Sequence, residues 1–309
     1  MDIFEMAKQA GLNRVSMLAI AQSENIYHYL NWIPSESGPM ITHYGKIDKK
    51  LDDHEKYKKH YHEVLTEIIS TIHNEEPICT YSLDSNDLIF STLYTDENSP
   101  ELLRWYQRQV MVETMDYYHY PMYNGSGKLL SIGIPQIIRK SFQDNIYMLK
   151  MRLNGIGTGI FSAESGARHW FHAEKLNNYL VWKIGKKKRD EILYINNNKL
   201  ESYFSIVRSS NKVNINWQFG NRDTVDMICQ YIKHLGNNNS HHVAPANKIF
   251  IYTCNGKIQD IKDIQKKDIE NIILLNPLSV LKMTDEKKIN LFTTLALAET
   301  GNAFEKIDV

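Results

Sequence analysis

Cysteine is scarce here: Cys79, Cys229 and Cys254 are isolated and odd in number. They supply neither a disulfide framework nor a zinc or redox spacing, and they fit a reducing compartment. Charge of one sign is lacking as well. The 36 basic and 36 acidic residues cancel, so no global field draws in nucleic acid or an anionic membrane. The N-terminus has no basic start, apolar stretch and small-residue cleavage site of a secretory signal. No apolar run approaches the roughly 18 residues that span a bilayer. The expectation is a cytoplasmic chain that something else must hold if it works at a membrane. Its 309 residues are enough for two core-bearing lobes, since domains run about 100–200 residues each.

What is present is an order of elements written twice. In the first copy, Val15–Ala21 is a continuous apolar run, as in a strand buried on both faces. Ile26–Ile33 alternates, a turn at Pro34–Pro39 follows, and a third strand runs through Ile47. Leu51–Asn74 reads as a helix with Tyr57, Tyr61, Leu65, Ile68 and Ile72 on one face, and a strand starts at Ile78. The second copy has strands at Tyr179–Ile184, Glu191–Ile195 and Leu200–Val207, with a fourth at Val213–Trp217. The helix Arg222–Leu235, the strand Lys248–Thr253, the short helix Gln259–Gln265 and the strand Ile272–Leu275 come next. A last helix, capped by Thr284, turns Ile289, Phe292 and Leu295 inward.

An insertion near residues 88–134 interrupts the first copy. Its strand Leu88–Tyr94 is followed by a helix with Ser99 as cap, Pro100 in the first turn and a stripe through Leu103, Tyr106 and Val110 to about Met115. Tyr117-Tyr118-His119-Tyr120-Pro121 is expected to end that helix, and its aromatic residues suit an interface core. The strand Leu129–Ile134 leads to a helix opened by Pro135, with Ile138, Phe142, Ile146, Leu149 and Leu153 on the buried side.

Several motifs carry no chemistry. Gly125-Ser126-Gly127-Lys128 lacks the first glycine of a P-loop and has Leu129 where a hydroxyl should bind magnesium. Gly155-Ile156-Gly157-Thr158-Gly159 reads as a helix stop and strand entry, not a dinucleotide fingerprint. His54, His60 and His62 do not share a helix face, so no metal site is expected there.

The duplicated strand–strand–strand–helix–strand–helix unit resembles actin-like ATPases. The insertion in the first lobe, the return at Gly133-Ile134-Pro135-Gln136, the hairpin region Asn178–Val207 and the small-residue helix Leu295–Gly301 resemble the PilM-like proteins of type IV pilus and type II secretion platforms. That resemblance implies a duplicated RNase H-like α/β fold, with a first lobe over 1–177 and a second over 178–309. Family members that bind nucleotide keep Asp-x-Gly after the first strand; here the stretch holds Gln22 and Ser23 instead. In the second hairpin Lys183 takes the acid's position and only Gly185 remains, while the adenosine loop keeps Asn255-Gly256. Magnesium needs oxygen ligands, which an ammonium cannot supply. The resemblance therefore implies a non-catalytic scaffold without cofactor. Its partners would be the cytoplasmic tail of an inner-membrane protein, held beside Leu103, Tyr106, Val110, Tyr117 and Tyr118, and other platform proteins.

The alternative is a nucleotide-binding ATPase or kinase relative using Mg-ATP. It would need the run Lys186–Arg189 to hold phosphate, or a carboxylate arriving from Glu24, Asp190 or Asp223. Charge runs of that kind are ordinarily solvated hairpin tips. An actin-like filament former is a third reading, and it predicts concentration-dependent polymers.

Overall fold

A computed structural model describes residues 16–36, 38–51, 57–72, 76–94, 115–121, 128–209, 212–235, 244–284 and 290–304. They form two compact units. The first comprises the described residues of Met1–Asn86, Ile137–His172 and Leu275–Val309. It begins with strands β1 (Met17–Ser23), β2 (Ile26–Ser35) and β3 (Gly38–Asp48), followed by helix α1 (Tyr57–Ile72) and β4 (Ile78–Leu83). The second comprises Asp87–Gln136 and Ala173–Leu274. Its inserted part holds β5 (Ile89–Tyr94), β6 (Met115–Pro121) and β7 (Lys128–Pro135). Helix α2 (Gln136–Met148), β8 (Arg152–Thr158) and α3 (Gly159–Phe171) return the chain to the first unit.

The second unit then continues with β9 (Asn178–Lys183), β10 (Arg189–Asn196), β11 (Lys199–Arg208), β12 (Val213–Gly220), α4 (Arg222–Leu235), β13 (Lys248–Tyr252), α5 (Ile258–Gln265) and β14 (Ile272–Leu274). The two-residue strand β15 (Lys282–Met283) and a closing 3-10 helix, Leu291–Phe304, end the described chain in the first unit.

The two units share one order over five strands and differ in the sixth, at the outer edge. The first unit's sheet runs β15-β3-β2-β1-β4-β8 and the second's β12-β11-β10-β9-β13-β14. In both, three antiparallel strands, β3-β2-β1 and β11-β10-β9, are followed by two parallel ones: β4 on β1 and β8 on β4, β13 on β9 and β14 on β13. At the edge β15 joins β3 in parallel, whereas β12 joins β11 antiparallel. A third sheet, β5-β7-β6, is antiparallel throughout.

Each face of the first sheet has its own core. On one, Tyr81 stacks on Phe142 of α2 at 3.9 Å between ring centroids, with the Tyr61 ring edge-on to both. On the other, Met17, Ala19, Leu30, Trp32 and Ile41 pack with Leu278, Leu297 and Ala303. Because β2 is thus covered on both sides, residues 27–32 are all buried, polar His28 and Asn31 included.

The structure differs from the expectations at several points. The lobe boundary at 177/178 does not match the division into units, because residues 275–304 return to the first unit: β15 pairs with β3, and the closing helix buries Leu297 and Ala303 against the first sheet. The inserted sheet groups with the second unit, where Phe90 packs on Tyr203, Trp217 and Phe219. Leu153 belongs to β8, not to the preceding helix, and Gly155–Gly159 joins that strand directly to α3. Thr284 does not cap the closing helix; its hydroxyl donates to the Ile41 carbonyl, and the side chain of Asn290 accepts from the Phe292 amide instead.

Candidate functional site

In a sheet with parallel strands, ligands gather at the strands' C-terminal ends. In the first unit those ends are Ser23 of β1, Asp84 just after β4 and Thr158 of β8. The β1–β2 hairpin turns over Glu24-Asn25, with Glu24 in the left-handed region at φ 52°. Gln22 is anchored from below, its Oε1 accepting from the Tyr81 hydroxyl. The turn is also occupied from within. Asp84, 2 % exposed, accepts from the Glu24 amide at 2.6 Å and from the amide and side-chain Nδ2 of Asn86 at 3.0 and 2.8 Å. A carboxylate thus takes the turn amide that would otherwise be free for an anion.

Beside it, the buried hydroxyls of Ser23 and Thr158 make no hydrogen bond among the described residues. Thr158 stands at the start of α3 without capping it. Gly157 lies against Ser162 Oγ and Asn302 Nδ2, 2.5 and 2.7 Å from where a Cβ would sit. Gly157 thus serves the packing of β8 against α3 and the closing helix.

The second unit brings its four expected residues together. Lys183 lies directly across the β9–β10 ladder from Glu191. Its Nζ is 3.9 Å from Glu191 Oε1, and only 6 % of its side chain is exposed. The ammonium in the acid's place is therefore neutralised locally. Gly185 is required by the hairpin itself, because a Cβ there would collide with the Arg189 carbonyl. The Asn255-Gly256 loop clamps this hairpin. Asn255 Oδ1 accepts from the Lys186 amide at 3.3 Å, and Thr253 Oγ1 links the Gly256 amide to the Ile184 carbonyl, both at 2.6 Å.

Asp190 completes the arrangement. It is fully buried and accepts from Trp182 Nε1 (2.9 Å), the Gly185 amide (3.2 Å) and Arg208 through Nε and Nη2. Burial pushes its carboxyl up, while Arg208 and the other donors pull it back toward ionisation. A buried carboxylate thus holds a backbone amide at each hairpin turn: Asp190 from within the second hairpin, and Asp84 reaching the first from the end of β4. Of the carboxylates expected as substitutes for the Asp-x-Gly acids, Asp190 is committed to these donors, and Glu24 and Asp223 are both exposed. Among the described residues no cluster of three or more His, Cys, Asp or Glu side chains is placed to hold a metal.

Of the expected partner groove, Leu103, Tyr106 and Val110 lie outside the described residues. Tyr117 and Tyr118 do not end a helix; they sit in β6, opposite Gly133 and Ile132 of β7. Successive strand positions face opposite sides, so positions 117 and 118 belong to different faces of that sheet. The sequence reading missed Asp84 altogether. A lone acid after an apolar strand carries no spacing signal, and only the fold shows that it reaches the turn.

No protein-family model matches the sequence, and neither does any curated protein. Solved structures do match by shape. The PilM-PilN type IV pilus biogenesis complex aligns over 94 % of this chain and 98 % of its own, with a TM-score of 0.61 at 10 % identity. A Bacteroides thetaiotaomicron protein with actin-like ATPase fold and unknown function aligns over 99 % and 100 %, with a TM-score of 0.44 at 10 % identity. The fold is that of the actin-like ATPases. The cytoplasmic domain of EpsL, an inner-membrane component of the type II secretion system of Vibrio cholerae, also aligns, over 92 % of this chain and 94 % of its own, with a TM-score of 0.43 at 9 % identity. At such identities the likeness is one of fold. Among the described residues no helix is long and apolar enough to cross a membrane.

Proposed function

We propose that this chain is a non-catalytic actin-like component of a type IV pilus or secretion platform. In this reading it is cytoplasmic and held at the inner membrane by the cytoplasmic tail of a partner. The pilus context rests on the likeness in shape to the PilM-PilN complex along nearly the whole chain. The loss of ATP turnover rests on one observation, the buried carboxylate at each hairpin turn. Asp84 holds the Glu24 amide and Asp190 the Gly185 amide. A phosphate arriving at either turn would displace a carboxylate from an amide, or lie beside its negative charge. Lys183 offers no ligand for magnesium, and its charge is already opposed by Glu191.

A nucleotide-binding relative is the second reading. It is favoured by the unpaired buried hydroxyls of Ser23 and Thr158 at the strand ends of the first unit. Thermal unfolding with and without Mg-ATP, read alongside phosphate release, separates the two. A ligand that binds only the folded state, at about 100 times its dissociation constant, adds roughly 2.7 kcal/mol. The scaffold reading expects no phosphate release and no shift that depends on Ser23 and Lys183. Turnover of ATP would overturn it.

A further inference from the structure

The second unit contains a cavity of about 310 Å³ that none of the preceding assignments uses. It opens between the C-terminal end of α4, helix α5, the β9–β10 turn and the start of β12. Trp182, Ile232 and Ile264 give it an apolar floor. Four lysines line it: Lys188, Lys212, Lys233 and Lys267. Among the described residues none of the four has a carboxylate partner. Arg208 also lines the cavity, but its charge is committed to Asp190 behind it. Asp260 and Asp263 stand one helical turn apart on α5 and face the same space.

The backbone adds a second observation. Lys187 and Lys188 both lie in the left-handed region, at φ 56° and 60°. The next hairpin turn uses the same conformation at Asn197 and Asn198, residues whose short polar side chains tolerate it. Lysine has no such compensation, so the β9–β10 turn holds Lys188 at the cavity against backbone preference.

We propose that this cavity binds a small phosphorylated ligand carrying hydroxyl groups. Exposed ammonium groups without a carboxylate partner around one open cavity suit a phosphate. An apolar floor beneath a few polar groups suits a compact organic body, and the volume lies at the small end of ligand pockets. Asp260 and Asp263 accept only, so they select a ligand that offers hydroxyl donors and disfavour a bare polyanion. The site shares Lys188 with the basic run of the nucleotide-binding alternative but none of Gln22, Ser23, Lys183, Gly185, Asn255 and Gly256, so its failure would leave the scaffold reading untouched.

The test is calorimetric titration of the whole protein with a hexose phosphate and with pyrophosphate at low ionic strength. Hexose phosphate is expected to bind saturably and more tightly than pyrophosphate. The exposed-lysine double variant Lys212→Gln/Lys267→Gln should lose about tenfold or more in affinity, as removing two charge-assisted contacts requires. Lys175→Gln/Lys199→Gln, with the same change in charge outside the cavity, should bind as the wild type does. Unchanged melting temperatures would show that both variants fold. No saturable binding, equal losses in both variants, or a preference for pyrophosphate would each overturn the proposal. If Mg-ATP stabilises the wild type but not Lys212→Gln/Lys267→Gln, that shift belongs to this cavity and not to the inter-strand hairpins.

Discussion

Asp190 and Arg208 form a pair whose side chains are 0 % and 14 % exposed. Asp190→Asn would leave the guanidinium without its counter-charge, and breaking a buried pair this way costs about 3–5 kcal/mol. Urea midpoints measure that loss. Replacing both at once, as Asp190→Leu with Arg208→Met, should recover much of it; a double variant as unstable as the single one would shift the weight to the Trp182 and Gly185 hydrogen bonds. His28 makes a different contribution. It is buried in β2 with Nε2 unpaired, and burial, aided by nearby Lys46, lowers its pKa to about 4. The unfolded chain protonates His28 near 6.5 and the folded chain only near 4. The unfolded state therefore binds more protons across that window, and stability falls as pH drops through it, by about 3 kcal/mol in full. Comparing urea midpoints of wild type and His28→Leu between these limits isolates the effect, since other groups titrate equally in both. His28 was legible as a strand residue, but its burial was not: β2 alternates in sequence, and only the closing helix, arriving from the far end of the chain, covers its second face.

Elements with a clean period were readable from the residues alone. The apolar run of β1 and the spacing of α4 place those segments within a few residues of where they lie, and the stripe of α1 places its C-terminal end within two, while the helix is described from Tyr57 and not from the expected Leu51. Two elements were not readable. Gly155 and Gly157 resemble a helix stop, yet they lie in β8, where Gly157 admits the side chains of Ser162 and Asn302. The tyrosine run at 117–120 fits a helix end or a strand equally well by composition, and pairing with β7 decided for the strand. The turns offer a test at this scale. Lys187→Gly removes a Cβ from a left-handed position, which costs about 1–2 kcal/mol for an L-residue. It should therefore raise the denaturation midpoint by a comparable amount without touching a cavity-lining residue. No gain would mean that the turn relaxes to another conformation in the wild type.

At the scale of the whole molecule, the segment 275–304 completes the first unit. Asn276 donates through Nδ2 to the Leu291 carbonyl at 2.7 Å and to Thr294 Oγ1 at 2.5 Å, and Phe304 stacks on Trp32 at 4.8 Å between centroids. Gly301 lies against the backbone of Ser162 and Gly166 in α3, where no Cβ fits. Removing residues 275–309 should expose the Met17, Leu30, Trp32 and Ile41 face. Amide hydrogen exchange should then rise throughout β1–β4 while β9–β11 stay protected. Equal loss of protection in both units would show that they fold as one cooperative block. The sequence by itself determined the duplicated order of strands and helices, because each element's apolar period is a local property of its residues. It also determined that Gln22 and Ser23 end β1 and Lys183 ends β9, which is a matter of residue identity at fixed positions. Only the tertiary structure decided where the last segment packs and which amides Asp84 and Asp190 occupy. It alone gathered Lys188, Lys212, Lys233 and Lys267 around one cavity. Those facts depend on contacts between residues distant in the chain, and such contacts leave no periodic trace in it.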